Sequence, residues 1–445
     1  MSKVTFKEVS EVFETVESIN SRNEITEILS SFYKKLEREE GQILSYMILG
    51  RVAPFFVKSE FNYSEKSLLS LLDNFTKAKG VDIDIFEERN KLGDIGNTVK
   101  LFSEKCNFQS KNKRIVEIYD ILWGLVTTQG IGSVERKNTI VLETLQSLSP
   151  LEAKYFVRTI CGELRLGLSV RSLLDVLSFV SVGDKALKPQ LEHAYGVCPD
   201  IGYIFSKVTN YNEKDVRKNL SSIQVTPGVP ILSRLVQRVG SFDELSERFP
   251  GSVLLQPKFD GLRCQIHKWD KTALVMTQMD VVWKKYKKED TLTSPSLFEN
   301  EKISDVSVKL FTRNLEDVTE MFPEIVDSAK KIKEGSFVLD SEVVGWNYKT
   351  NKIMSYQETM QRRRKYSVQI KSTDIPVKAF VFDLLYLNSK SLINVDTEKR
   401  IEMLGKSSKN FKGDSIVLAE TKKVSEQNEI KGYFKECVKN GLEGI

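Results

Sequence analysis

The stretch from Lys258 to Arg263 has the residue types and spacing most suggestive of chemistry. It contains a lysine, then Asp260 and Gly261, then an arginine, and flanking apolar residues predict that a short strand delivers the lysine to a tight turn. A lysine amine is a nucleophile only when neutral, and neighbouring cations such as Arg263 and a bound metal favour that form. Asp260 and Arg263 are then placed to hold a ribose and a phosphate. Taken alone, the same stretch is also explained by a strand that ends in a charged turn.

The remaining composition favours catalysis by lysine, arginine and carboxylates. Only two histidines are present, which excludes imidazole-rich zinc chemistry and argues against a Ser-His catalytic pair. The five cysteines are scattered singly, so we interpret them as reduced thiols rather than as a zinc site or a disulfide framework. The net charge of +5 permits a nucleic-acid partner but does not by itself indicate one.

The length and the apolar pattern predict a folded protein of at least two domains. Of the 445 residues, 40% are hydrophobic and 29% are charged, a balance that leaves little room for long disorder. No apolar run is long enough to cross a bilayer, and the first residues alternate charged with apolar side chains, unlike a secretory signal. We therefore expect an intracellular protein with no membrane partner, cytoplasmic in a prokaryote or nuclear in a eukaryote.

Residues 1–220 have a helical pattern, with apolar side chains returning every three or four positions. Ser149 is expected to cap a helix that has proline at its first position and Glu152 to complete a capping box. That helix is expected to end at Gly162, and Ser169 to cap the next one. These features predict an all-α first domain.

The pattern changes near Val225, where two prolines and a glycine within five residues cannot continue a helix. We place the domain boundary there, with residues 221–445 forming an α/β (α+β) domain. Short β-branched and aromatic stretches predict strands at residues 252–255, 308–312, 337–346 and 377–387. Residues 269–307 have neither helical nor strand periodicity and predict a polar insertion.

The stretch from Lys258 to Arg263 resembles the covalent lysine nucleotidyltransferases, and specifically the ATP-dependent DNA ligases of archaeal and eukaryotic replicative type. Four further segments carry the resemblance in the family's order: FTRNLEDVT at 311–319, LDSEVV at 339–344, FVFDLLY at 380–386 and GLEG at 441–444. A buried strand explains Leu339 and Val343 but not a carboxylate at Glu342 in the expected order.

The resemblance implies roles for individual residues. Lys258 would be the catalytic residue that carries AMP, Glu342 and Glu443 would associate with a metal, and Phe382 would stack on adenine, with Phe380 a competing candidate. The implied nucleotide-binding residues are Gln256, Lys258, Asp260, Gly261, Arg263, Arg313, Glu342 and Phe382. The family often has a glutamate where Gln256 stands; a glutamine oxygen also accepts from the adenine amino group, with weaker discrimination against guanine.

Two further segments resemble elements that distinguish DNA ligases from their relatives. GELRLG at 162–167 resembles the duplex-gripping element, in which Arg165 and the nearby Arg171 would neutralise DNA phosphates without reading sequence. Residues 357–366, with Gln361 followed by a basic run, resemble a replicative-ligase pattern, the alternative being a solvated basic run.

The implied function is the sealing of nicked duplex DNA through a lysine–AMP intermediate, with ATP as co-substrate and Mg²⁺, in DNA replication, repair, recombination and cell division. The implied state is a monomer, and a sliding clamp is a candidate partner. An RNA ligase or an mRNA-capping guanylyltransferase would share Lys258 through Arg263, although the large helical domain argues against both. A non-catalytic or defective DNA-binding fragment is the alternative from another class.

The family continues beyond its fourth motif with a paired-lysine motif and a C-terminal OB-fold domain. We expect both to be absent from this chain, which would make residues 221–445 a C-terminally incomplete adenylyltransferase domain. Residues 437–445 are expected to break off within a core strand.

Overall fold

The structure, a computed structural model, describes residues 3–162, 164–270, 279–286, 306–363, 375–411 and 413–445. The chain forms two compact units. The first comprises Met1–Tyr195, Asp200–Ile223 and Asp280–Lys288, and the second Gly196–Pro199, Gln224–Met279 and Glu289–Ile445. The boundary near residue 220 stays a prediction. Gly196–Pro199 precedes it but belongs to the second unit, and Asp280–Lys288 follows it but belongs to the first unit.

The first unit is helical, which confirms the all-α prediction for the first part of the chain. Its described α-helices are α1 Phe6–Glu17, α2 Arg22–Tyr33, α3 Arg38–Met47, α4 Glu65–Lys79, α5 Ile85–Leu92, α6 Ile95–Lys105, α7 Ile115–Thr127, α8 Ser133–Leu145, α9 Pro150–Cys161, α10 Val170–Val182, α11 Lys188–Val197, α12 Ile201–Val208 and α13 Glu213–Ser221. No helix among the described residues is both long and apolar enough to cross a membrane.

The ends of α9 and α10 follow the predicted capping signals. The Ser149 hydroxyl accepts from the Glu152 backbone N–H, and the Glu152 carboxylate accepts from the Ser149 backbone N–H at 2.8 Å. Gly162 ends α9 with a φ of 76°, a left-handed conformation that glycine adopts without strain. Ser169 caps α10. The connection between these two helices is therefore fixed at both ends.

Buried ion pairs join α1, α6 and α9. The Arg158 side chain is only 2% exposed and donates to Glu17 at 2.7 Å and to Asp94 at 2.9 Å. Asp94 also caps α6 by accepting from the Asn97 backbone N–H. Its other carboxylate oxygen lies 3.4 Å from Arg165, in the segment that follows α9. Removing one member would leave a buried charge uncompensated, so this network holds the segment after α9 against the bundle.

The second unit is built on a mostly antiparallel sheet, which confirms the α/β prediction. In the described residues the strand order is β3-β2-β4-β6-β7, with β5 beside β4 and β8 parallel to β6, while β1 pairs separately with β9. The strands are β1 Val253–Leu255, β2 Leu262–Asp270, β3 Val306–Thr312, β4 Phe337–Asn347, β5 Lys352–Ile353, β6 Val377–Leu387, β7 Lys390–Ser391, β8 Ile416–Leu418 and β9 Lys422–Val424. The helices are α14 Phe242–Arg248, α15 Pro323–Lys331, α16 Tyr356–Met360, α17 Thr397–Ser408 and α18 Gln427–Lys439.

One face of the sheet forms the core of this unit. Leu339 and Val343 of β4 are buried with Ile325 of α15 and Leu404 of α17. Because strand side chains alternate between faces, Asp340 and Glu342 of β4 point to the opposite face. The apolar face thus anchors the strands, and the polar face is left to form a site.

The lead-in before the sheet is fastened to β2 by two buried polar side chains. Gln265 accepts from the Ile231 backbone N–H at 2.8 Å and donates to the Ile231 carbonyl at 2.6 Å. The Nδ1 atom of His267 accepts from the Gly228 backbone N–H at 3.2 Å. Burial lowers the pKa of His267 to about 3, so its imidazole is neutral.

The predicted insertion and the C-terminal segment both need correction. Strand β2 continues through Asp270 and β3 begins at Val306, so the hairpin is longer than predicted. Val282–Tyr286 forms a 3₁₀ helix, whereas residues 271–278 and 287–305 lie outside the described residues. At the C-terminus, residues 437–439 end α18 instead of forming a core strand, because the apolar positions of α18 follow a helical period.

Acid should destabilise the protein through His267. Its pKa is about 3 in the folded chain and about 6.5 when unfolded, so the unfolded state binds more protons as the pH falls below 6.5. Between pH 7.5 and 5 this group alone should remove about 2 kcal/mol. Thermal unfolding of His267→Gln should lose that part of the pH dependence. His193→Gln, at the exposed second histidine, is the matched control and should behave like the parent protein; equal slopes in both variants would contradict this origin.

Candidate active site

The predicted site residues of the second unit come together in one cleft. A cleft of about 920 Å³ is lined by a set that includes all of them: Gln256, Lys258, Asp260, Gly261, Arg263, Arg313, Glu342, Phe382 and Glu443. They come from the turn after β1, from β2, β4 and β6, from the loop after β3, and from the C-terminal segment. Their roles stay predictions, but their meeting in one cleft is a structural fact.

Lys258 is joined to the C-terminal segment by backbone and side chain. Its backbone N–H donates to the Gly444 carbonyl at 2.9 Å, and its carbonyl accepts from the Glu443 backbone N–H at 3.0 Å. Its Nζ atom forms an ion pair with the Glu443 carboxylate. The motif that contains Lys258 and the motif that contains Glu443, which are far apart in sequence, are thereby held next to each other.

Gly261 is required by a close approach of two backbones. A Cβ atom at this position would lie 2.4 Å from the Val343 carbonyl oxygen, a distance that real Cβ atoms do not reach. The turn after Lys258 therefore passes directly against β4. This approach brings the turn that carries Lys258 next to β4.

Arg263 is held by a carboxylate that the sequence did not single out. Its Nε atom donates to Asp340 Oδ1 at 2.9 Å and its Nη2 atom to Oδ2 at 2.5 Å, a bidentate pair. Burial opposes the charge of the guanidinium, yet the bonded Asp340 raises the pKa of Arg263 above its usual value. Arg263 thus pairs with Asp340 and Lys258 with Glu443, and the effect of Arg263 on the lysine amine stays a prediction.

Glu342 lies opposite Arg263 in the register of β2 and β4. Burial and the like charge of Asp340 raise the pKa of Glu342 to about 7, against the opposing effects of Arg263 and Lys258. The site thus keeps a carboxyl group that changes charge near neutral pH.

Phe382 sits at an irregularity in the sheet. Asp340 pairs with Asp383 and Ser341 with Val381, so Phe382 is the extra residue of a β-bulge in β6. A bulge re-aims side chains, and Phe382 lines the cleft, whereas Phe380 stacks on Phe259 with ring centroids 4.4 Å apart. The two candidate aromatic residues therefore have different surroundings.

Gln256 is oriented by its amide nitrogen. Nε2 donates to the Phe382 carbonyl at 2.9 Å and to the Thr421 hydroxyl at 3.1 Å. With both amide protons used, the side-chain oxygen is the atom that remains to accept a hydrogen bond in the cleft.

The loop after β3 presents Arg313 at the edge of the cleft. Arg313 is exposed. Nearby, Lys309 pairs with Asp317 at 2.5 Å, and Asp317 accepts from the Thr319 backbone and hydroxyl. Despite its burial, Lys309 and these hydrogen bonds lower the pKa of Asp317, which keeps it charged. The loop is thus fixed by its own polar contacts.

The basic run after α16 is not simply a solvated face. The Arg362 side chain is 1% exposed, donates to Glu324 at 2.7 Å and to the Met321 carbonyl at 2.9 Å, and lies over the Phe322 ring. Residues 364–366 of the same motif lie outside the described residues. Arg362 therefore contributes to the packing of the second unit.

The two predicted DNA-binding arginines lie in the first unit, around a cavity of about 580 Å³ that both of them line. Both side chains are exposed. Arg165 has a φ of 57°, and its neighbours Leu164 and Leu166 are buried, so the backbone turns the arginine outward while the leucines anchor it. Arg171 stands in the first turn of α10.

Sequence reasoning missed Asp340 as a site residue. Its position two residues before Glu342 was a usable signal, because two carboxylates at this spacing on a strand face the same side. The Thr421 contact to Gln256 had no such signal, since it depends on how the chain returns after β8.

Fold and site together define a nucleotide-handling enzyme: a helical unit, then a sheet whose polar face gathers lysine, arginines and carboxylates in a cleft. Residues 5–178 match the family described as DNA ligase N terminus, and residues 300–445 the family described as ATP dependent DNA ligase domain. A probable DNA ligase of Dictyoglomus turgidum is 32% identical over 442 residues, covering 99% of this chain and 68% of the relative. DNA ligase 1 of Methanosarcina acetivorans is 30% identical over 451 residues, covering 99% and 70%.

The chain therefore belongs to the ATP-dependent DNA ligases. It is a DNA-joining enzyme with ATP as its co-substrate. This membership sets aside the RNA-ligase and capping-guanylyltransferase alternatives.

Neutralising Glu342 should stabilise the protein at high pH only. Its pKa is about 7 when folded and about 4.3 when unfolded, so stability falls as the pH rises between these values and the full cost, about 4 kcal/mol at most, remains above pH 7. Glu342→Gln should raise the thermal midpoint at pH 8 without changing it at pH 4.5. Glu316→Gln, in the exposed loop after β3, is a control. An unchanged midpoint at pH 8 would show that Glu342 is not strained by its neighbours.

Proposed function

We propose that Lys258 is the residue that carries AMP and that the cleft around it performs nucleotidyl transfer. The observation that carries this proposal is the meeting of the other eight predicted cleft residues around Lys258, whose amine is paired with Glu443. Family membership establishes a DNA ligase that uses ATP, and this cleft contains the groups that such a reaction needs.

In the first step the Lys258 amine attacks the α-phosphorus of ATP, a P–N bond forms, and pyrophosphate leaves with the electrons of the broken P–O bond. The amine must first lose a proton, and the Glu443 carboxylate is the bonded acceptor available for it. Arg263 and Arg313 supply positive charge for the phosphates, and positioning with electrostatics provides most of the acceleration in reactions of this kind.

The nucleoside end of ATP has a matching set of contacts. Phe382 offers a ring for the adenine to stack on, and its place on the bulge supports it over Phe380, which is already stacked on Phe259. The free oxygen of Gln256 accepts from the adenine amino group. Asp260 and Glu342 hold the ribose.

The cleft also fits Mg²⁺, which we propose as the metal. Within the described residues no cluster of three or more His, Cys, Asp and Glu forms a complete cage. Mg²⁺ instead uses one or two carboxylates together with phosphate oxygens and water. Glu342 and Glu443 supply those oxygens, and the raised pKa of Glu342 marks a place where added positive charge is favourable. When bound, the ion would offset charge on the phosphates.

In the second step a 5′-phosphate oxygen of the nick attacks the AMP phosphorus, and the Lys258 amine leaves. In the third, the 3′-hydroxyl attacks the activated 5′-phosphorus and AMP leaves, with Asp260 helping to orient the groups. The first unit would grip the duplex through Arg165 and Arg171 by phosphate contacts that read no sequence. We accordingly assign DNA binding to residues 1–220 and adenylyl transfer to residues 221–445.

The setting of the enzyme follows from its substrates. Nicked duplex DNA and ATP meet inside the cell, in the nucleus or in a prokaryotic cytoplasm, during replication, repair and recombination. A monomeric state and a sliding-clamp partner stay predictions.

Replacing Lys258 should abolish the covalent intermediate. Incubation with labelled ATP and Mg²⁺ should leave an acid-labile label on the parent chain, and Lys258→Ala should reduce it to background, because Lys258 is the one lysine among the described residues that line the cleft. The assay is run on residues 1–445 and on the same chain followed by the remaining residues of the D. turgidum relative. Lys349→Ala, an exposed lysine outside the cleft, is the control. Normal labelling of the Lys258 variant would mean that another lysine is the nucleophile.

Neutralising Arg165 and Arg171 should weaken DNA binding at every sequence. Glutamine is preferred to glutamate, since Asp94 lies 3.4 Å from Arg165 and a like charge there would disturb the buried network. If each arginine contacts one phosphate, the slope of log K against log salt should fall by about 0.9 per contact. Arg22→Gln with Lys66→Gln, two exposed residues on other helices, is the matched control. An unchanged affinity and salt slope would move the DNA-binding face elsewhere.

A further inference from the structure

Part of the connection between β2 and β3 belongs to the helical unit. The two strands pair up to Asp270 and Val306, so a short turn would suffice to join them. Instead the chain continues through residues 271–305, and Asp280–Lys288 is counted with the helices of the first unit. We call residues 280–286 the docking segment. The docking segment contacts α3, α7 and the start of α12, which belong to the same helical unit.

Trp283 is the most deeply buried residue of the docking segment. It is 1% exposed, and its Nε1 atom donates to Asp200 Oδ2 at 2.9 Å. Asp200 is itself fully buried, caps α12 and accepts from the Tyr46 hydroxyl at 2.5 Å. Burial raises the pKa of Asp200, and hydrogen bonds from Tyr46 and Trp283 oppose that effect. Loss of the indole would leave a buried acceptor without this donor, which is costly.

Tyr286 makes a second aromatic contact. Its ring stacks on Trp123 of α7, with centroids 5.2 Å apart and an interplanar angle of 4°, and meets Tyr119 edge-on at 5.4 Å. Its hydroxyl donates to Asp120. Both large rings of the docking segment therefore have shaped apolar surroundings and a polar partner at the tip, as anchor residues of protein interfaces do.

The backbone of the docking segment is recognised as well. Gln42 of α3 donates to the Asp280 carbonyl at 3.0 Å and accepts from the Val282 backbone N–H at 2.8 Å. At the rim, Arg38 pairs with Asp280 at 2.9 Å and Lys285 with Glu39. The buried Gln42 amide has both of these hydrogen-bond partners only when the docking segment is present.

We propose that residues 280–286 are an intramolecular tether, by which the catalytic unit is held to a site for an aromatic peptide on the helical unit. While the segment is docked, chain length alone keeps Asp270 within about 35 Å of Asp280, because each residue spans at most about 3.5 Å. The helical and catalytic units thus stay at high effective concentration when DNA is released, without relying on the linker near residue 224 alone.

The test is to cut that linker and measure what still holds the two parts together. A protease recognition sequence is inserted after Gln224, an exposed residue outside the helices. After cleavage, without DNA, the parent halves should stay associated. Trp283→Ala should raise their dissociation constant at least about 100-fold, as truncation of a buried aromatic anchor does. Trp283→Phe should raise it about 10-fold, through loss of the bond to Asp200.

Trp269→Phe is the matched control, since Trp269 is a buried tryptophan of β2 that packs on Gly228 and does not belong to the docking segment. It should leave the dissociation constant unchanged. Hydrogen exchange measured on the uncut Trp283→Ala chain distinguishes a local loss of packing from general unfolding. Exchange should become faster in α3 and around Asp200 but should not change in α9. Parent halves that separate, or Trp283 variants that bind as tightly as the Trp269 control, would overturn the tether.

Discussion

The antiparallel bridge between Lys258 and Gly444 is the contact on which the whole cleft depends. It fixes the backbone of the lysine against a segment nearly two hundred positions later, and the adjacent Glu443 then reaches the amine. A small apolar cluster supports it, in which Leu255 of β1 packs against Ile430 and Tyr433 of α18. The bridge therefore transmits the packing of α18 to the position of one nucleophile, and disorder in either partner would separate the amine from its only bonded carboxylate among the described residues.

Charge in the cleft is balanced in a way that suits a substrate rich in phosphate. Asp340 is committed to Arg263, which lets a half-buried guanidinium keep its charge and its direction. Among the residues that the structure describes, Glu342 has no ion pair of this kind, and its burial and the like charge of Asp340 raise its pKa. These groups leave a carboxyl group at Glu342 that changes charge near neutral pH and an exposed guanidinium at Arg313. Such a distribution suits the entry of a cation together with an anion, which supports the metal and the nucleotide proposed for this cleft.

Much of the architecture followed from local sequence. The capping box at Ser149 and the glycine at 162 bound α9 because each satisfies backbone groups within a few residues, independent of the rest of the fold. Strands β4 and β6 were recognisable from their apolar and aromatic runs. The bulge at Phe382 was not, because it reflects how β6 fits β4 and not what β6 contains. Asp340 was overlooked for a similar reason: its importance comes from the Arg263 side chain across the strand pair.

The docking segment shows most clearly where periodicity fails as a guide. A polar run with no helical or strand period was interpreted as an insertion, yet Val282–Tyr286 is a 3₁₀ helix, in which residues three apart lie one above the other. Trp283 and Tyr286 have that spacing, so two rings in a lysine-rich stretch face the same way. A domain cut near residue 220 would remove both rings and leave Gln42 and Asp200 without the partners that complete them. The helical unit is for that reason a structure made from two separate parts of the chain, and its boundaries follow its buried polar groups more closely than any change of sequence pattern.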